Sequence, residues 1–152
     1  MRSSNLLFIS SWVILLVVAG AIVLLSANSI WIAYTGAPDT LSGAYSLTQI
    51  AEQGGEEAVK AFRGRRATAA TWALGYALLA ITVIWIPYRR AEKWAWWAVF
   101  LSVAISQLLS MARAVMLGTT VGTGAASMVF AFVLLGLLAG APRVFSQREP
   151  KL

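Results

Sequence analysis

Charged side chains are missing from four long stretches of this chain: Ser3 to Pro38, Ala67 to Tyr88, Trp94 to Ala112 and Ala114 to Pro142. A bilayer core of about 30 Å is crossed by about 20 helical residues, since each adds about 1.5 Å of rise. Every one of these stretches reaches that length. They predict spans near Leu6 to Ser26, Thr68 to Tyr88, Trp94 to Leu117 and Val121 to Ala141. A membrane β-barrel would need short alternating segments, and a continuous apolar run such as "WVILLVVAGAIVLL" does not alternate. The expected fold is all-α: a single integral-membrane domain over residues 1–152, built as an up-down four-helix bundle.

Residues 27–66 form the one sizeable connection. "TGAPDTLSG" carries turn chemistry, Ser46 and Gln49 fit a capping box opening "LTQIAEQ", and Gly54 and Gly55 interrupt it. A second short helix is expected from Glu56 and Glu57 to Arg63–Arg66, with acids first and bases last as the helix dipole prefers. Ala58, Val59 and Phe62 share its apolar face, so the pattern predicts an amphipathic helix lying on the outer membrane surface between spans one and two. Arg2, the apolar run and "SANS" also fit a cleaved secretory signal. However, the apolar core exceeds the usual length of about 7–15 residues and resumes at "IWIAY", so a retained span is expected.

Composition agrees with lipid as the surrounding medium: 59% of the 152 residues are hydrophobic and 12% charged, with a mean hydropathy of +0.74. Every charged residue lies between or beyond the four uncharged runs, and together they give a net charge of +6. In "PYRRAEKWAWW", Arg89, Arg90 and Lys93 lie among Trp85, Trp94, Trp96 and Trp97. Aromatic rings settle at headgroup depth and basic residues are retained in cytoplasmic loops, so these residues read as interface anchors around an inner turn. Clustered bases beside a membrane also attract acidic headgroups, the alternative reading of the same stretch. With that turn inside, Arg2, Arg143, Arg148 and Lys151 are inside as well, against Lys60, Arg63, Arg65 and Arg66 outside. The expected placement is a bacterial inner membrane with both termini cytoplasmic, and nucleic acid is not an expected partner.

Candidate chemistry is sparse. The chain has no cysteine and no histidine, and no Asp or Glu falls within a predicted span. Thiol chemistry, imidazole acid–base work, metal ligation and carboxylate proton relays therefore lack their usual groups. No catalytic residue, metal or cofactor is expected. The most polar membrane face belongs to the third span, where Ser102, Ser106 and Ser110 recur every four residues, Arg113 follows and Gln107 lies alongside. This stripe is either a packing seam or a lining for a lipid, a quinone-like molecule or a small solute. Gly136 and Gly140 form a GxxxG pair in span four, and Ala73, Ala77 and Ala80 give span two a small-residue side. Both permit close helix contact, within the bundle or between copies.

At "PYRRAEKWAWW" and the preceding "FRGRRATAATWALGYALL", the chain resembles small, uncharacterised four-span membrane proteins of bacteria. That resemblance implies the four spans and no particular activity. Vitamin K epoxide reductase-like enzymes need a cysteine pair, and small multidrug exporters a glutamate in the first span; this sequence has neither. The expected function is that of a non-enzymatic accessory or assembly subunit, contacting membrane lipids and binding through helix faces to copies of itself or to a larger membrane complex. The alternative is a ligand-binding or transport bundle using the Ser102–Arg113 stripe.

Overall fold

The computed structural model describes residues 2–38, 47–118 and 123–146; of these, the side chains at 2–4, 113, 114 and 117 are left aside. Four α-helices follow one another: α1 (Arg2–Thr35), α2 (Leu47–Trp85), α3 (Lys93–Leu117) and α4 (Thr123–Ser146). A short 3-10 helix, Tyr88–Arg90, joins α2 to α3. All four α-helices contain a stretch long and apolar enough to cross a membrane. The expected all-helical class and the number of spans agree with this. Ser46, Asp39 to Gly43, the α3–α4 connection at 119–122, Arg148 and Lys151 lie outside the described residues.

Two boundaries differ from the sequence expectation. Span one was expected to leave the bilayer near Ser26, but α1 runs on to Thr35. The reason lies in its stop signals. Gly36 takes a left-handed conformation (φ 74°) and its N–H donates to Ile32 O at 2.9 Å, with Pro38 just beyond. Hydropathy falls at "SANS", but nothing there terminates a helix.

The second difference corrects the surface-lying helix. The break expected at the paired glycines falls at Gly55 (φ 70°), but beyond it α2 continues through Arg66 and Thr68 to Trp85 without interruption. "FRGRRATAAT" offers only Gly64 as a breaker, and one interior glycine costs a helix about 1 kcal/mol, too little to stop an alanine-rich segment. The amphipathic stretch is thus the first part of the same rod as span two.

The chain divides into two compact units. The first contains Met1–Gly20 and Leu79–Leu152. Its core gathers Phe8 and Leu15 of α1, Ile84 and Tyr88 around the α2–α3 turn, Ala95 and Val99 of α3, and Val133, Leu137 and Val144 of α4. On α1 these positions, with buried Ser11 and Ala19, keep the spacing of three and four that puts them on one helix face. The other faces carry large apolar side chains into the surroundings, with Leu108 68% and Leu138 64% exposed. The second unit is Ala21–Leu78. Ala70 and Ala77 are buried in it and Ala73 is half-buried, whereas Trp72 is 77% exposed.

Candidate functional site

Two serines of the α3 stripe bond to the backbone of their own helix. Ser102 Oγ donates to Val99 O at 3.1 Å, and Ser106 Oγ to Val103 O at 2.9 Å. Hydroxyls bonded back along their own helix need no second helix or ligand to satisfy them. Ser102 and Ser110 are half-buried and Ser106 is exposed. The Arg113 side chain lies outside the described residues. Gln107 differs: its Oε1 is shut off from solvent and has no hydrogen-bond partner among the described residues. Among those residues no three acidic side chains gather as a metal site would require.

The polar chemistry that is brought together lies at the α2–α3 turn. Pro87 follows the end of α2, supplies no donor and starts the 3-10 turn. Ala91 closes it in a left-handed conformation (φ 58°), donating to Tyr88 O at 2.8 Å. The turn sends Tyr88 fully into the core, where its hydroxyl shares a 2.6 Å hydrogen bond with Ser11 Oγ of α1. Gly140 of α4 packs over this pair. A methyl group added there would lie 2.5 Å from Ser11 Oγ and closer still to Tyr88 Oη, so only glycine lets α4 approach. One turn earlier, a methyl on Gly136 would lie 3.1 Å from the Leu15 side chain. Both glycines of the GxxxG pair therefore face α1 of the same chain.

Cations surround this buried knot. The Arg89 guanidinium lies 4.4 Å from the Trp85 ring centroid and 4.8 Å from that of Trp12, and those two rings meet edge to face. Arg143 lies 5.2 Å from the Phe8 ring and its Nη1 donates to Asn5 Oδ1. Phe8 in turn stacks on Tyr88 at 5.8 Å. Trp85, Trp94 and Trp97 are exposed, as are Arg89 and Arg90, while Lys93 is half-buried. Trp94 Nε1 donates to Glu92 Oε2 at 2.6 Å. Trp96 is turned inward: its Nε1 donates to Leu137 O of α4 at 3.0 Å, and its rings stack on Phe100. Pro142 in α4 has no N–H, so Leu138 O lacks its usual helical donor, and the indole bonds the carbonyl next to it.

In the second unit the arginines expected to finish a short helix do something else. Arg63 Nε donates to Ala33 O at 2.7 Å and its Nη2 to Tyr34 O at 2.6 Å, so its guanidinium covers the last carbonyls of α1. A cation at the negative end of a helix dipole is favourable as well as hydrogen-bonded. Arg66 Nε donates to Ser29 Oγ at 3.0 Å, one turn back along α1. Sequence reading missed this cap because it ended the first helix near Ser26. Gly36 followed by Pro38 was the signal that a helix end stood within reach of a basic residue.

Comparison with protein-family models, with curated proteins and with solved structures finds no match.

Proposed function

We propose that this chain is a polytopic scaffold protein of a bacterial inner membrane. In this reading it is an up-down bundle of four spans with both termini cytoplasmic, and it serves as an accessory or assembly subunit. It works through helix-face contacts, with copies of itself or with a larger membrane complex. The observation that carries this reading is where polar groups find partners. Ser11, Tyr88, Ser102, Ser106 and Trp96 bond within the chain, and the outward faces carry large exposed apolar side chains. Small residues matter here too. Gly136 and Gly140 are occupied inside the chain, whereas Gly75 on α2 is exposed with nothing within 4 Å of an added methyl. That leaves the Gly75 side of α2 open to a neighbouring helix. The end of α1 and the first part of α2 are tied to each other by Arg63.

Extraction in mild detergent followed by mass measurement tests the proposal. A fixed multiple of the chain mass, or a second protein at constant ratio, is the expected result. A bare monomer in mild detergent and in native lipid would contradict it.

A second reading, a ligand-binding or transport bundle, draws on Gln107, whose Oε1 lacks a partner. Gln107→Leu separates the two. In a scaffold it removes an unpaired buried acceptor and raises thermal stability, since such a group costs about 1–3 kcal/mol. In a transport bundle it abolishes flux in proteoliposomes or the retention of a co-purified quinone or lipid.

A further inference from the structure

We infer that Arg89 and Arg143 form a two-guanidinium clamp for the phosphate of an acidic phospholipid. The two residues are far apart in sequence but are brought to neighbouring turns of α1. Arg89 sits in the corner made by Trp12 and Trp85, and Arg143 lies over Phe8. Phe8 and Trp12 are one helical turn apart, about 6 Å of rise.

The buried knot below sets this spacing. Tyr88, bonded to Ser11, is the residue before Arg89; Gly140, packed on the same two hydroxyls, precedes Arg143 by nearly one turn of α4. Arg89 and Arg143 are both exposed, and among the described residues no carboxylate pairs with either. Glu92, the acid nearest to Arg89 in sequence, accepts from Trp94 instead. Arg143 uses one N–H on Asn5, and a guanidinium has five, so donors remain. A planar cation held against an aromatic ring presents its N–H fork sideways, the geometry that meets phosphate oxygens.

The ligand chemistry follows from the surroundings. Exposed Trp85, Trp94 and Trp97 place this end of the first unit at headgroup depth. An acidic phospholipid brings a phosphate whose charge is not neutralised by a headgroup ammonium, as it is in a choline lipid. The inference uses the membrane reading of the fold, but neither the orientation of the spans nor the subunit proposal. A chain that is monomeric in mild detergent and in native lipid yet binds acidic lipid would contradict the subunit proposal and leave the clamp intact.

The test uses the full chain in non-ionic detergent, with native mass spectrometry against dioleoyl phosphatidylglycerol and dioleoyl phosphatidylcholine at equal concentration. The expected preference for the acidic lipid is about tenfold or more, the size given by two interfacial cations. It falls to near parity in the Arg89→Gln/Arg143→Gln variant and persists in Arg90→Gln/Lys93→Gln, which removes the same charge from neighbouring residues, and in Arg90→Gln alone. In a separate arm, excess inorganic phosphate fails to displace the lipid. Parity in the unmodified protein, an equal loss in Arg90→Gln/Lys93→Gln or in Arg90→Gln alone, or displacement by phosphate alone would each overturn the inference. Phenylglyoxal modification of the unmodified protein gives a readout that does not depend on the variants folding. Arg89 and Arg143 should be protected by phosphatidylglycerol and not by phosphatidylcholine, while Arg65 reacts equally in both. Equal reactivity of Arg89 and Arg143 in the two lipids would count against the clamp.

Discussion

Tyr88 places a phenol hydroxyl in the core, and Ser11 is the group that makes this tolerable. Tyr88→Phe leaves Ser11 unpaired and Ser11→Ala leaves the phenol unpaired. Each should lower stability by about 1–3 kcal/mol, read as a fall in the thermal midpoint in detergent. The double variant removes both partners, so its loss should be clearly smaller than the sum of the two singles; strict additivity would mean the bond contributes nothing. Gly140→Ala forces a methyl onto the same pair and should cost about 1–3 kcal/mol, while Gly75→Ala, opening on free space, should leave the isolated protein unchanged or slightly stabilised. Little of this was legible in the sequence. "PYRR" and "GxxxG" mark a turn and a close contact, but Ser11 reads there as one more small residue in an apolar run. Its pairing with Tyr88 spans 77 positions and becomes visible only when the helices are placed.

Between residue and fold, the helix ends carry most of the information. Two separate physical rules act on α1: the bilayer decides where polar residues can begin, and capping decides where the helix stops. Near Ser26 the first rule applies and the second does not, so a boundary drawn from hydropathy ended the helix too early. In the α2–α3 turn both rules coincide at Pro87, and there the expected and observed boundaries nearly agree. The Arg63 cap gives a prediction at this scale. Arg63→Gln should free the Ala33 and Tyr34 carbonyls at a cost of about 0.5–2 kcal/mol, seen as faster amide hydrogen exchange in the last turn of α1. Unchanged exchange there would show that α1 is held by its packing alone. Arg65→Gln, at an exposed neighbouring position, should leave the same amides unaffected.

At the scale of the molecule, four helices long and apolar enough to cross a membrane were legible because that property is a one-dimensional requirement on composition, met by four uncharged stretches. The candidate site was less so: spacing sets Ser102 and Ser106 four apart on α3 but does not tell that each hydroxyl bonds its own backbone. The central claim is that four helices cross the membrane, with the α2–α3 turn and the end of α4 on the inner side and the first part of α2 outside. The absence of cysteine makes it directly measurable, since each introduced cysteine is the only thiol in the chain. With a membrane-impermeant maleimide on intact cells, Lys60→Cys should label at once, whereas Arg90→Cys and Ser146→Cys should label only after the membrane is opened. Labelling of Arg90→Cys and Ser146→Cys from opposite sides, or of all three without opening the membrane, would contradict the account.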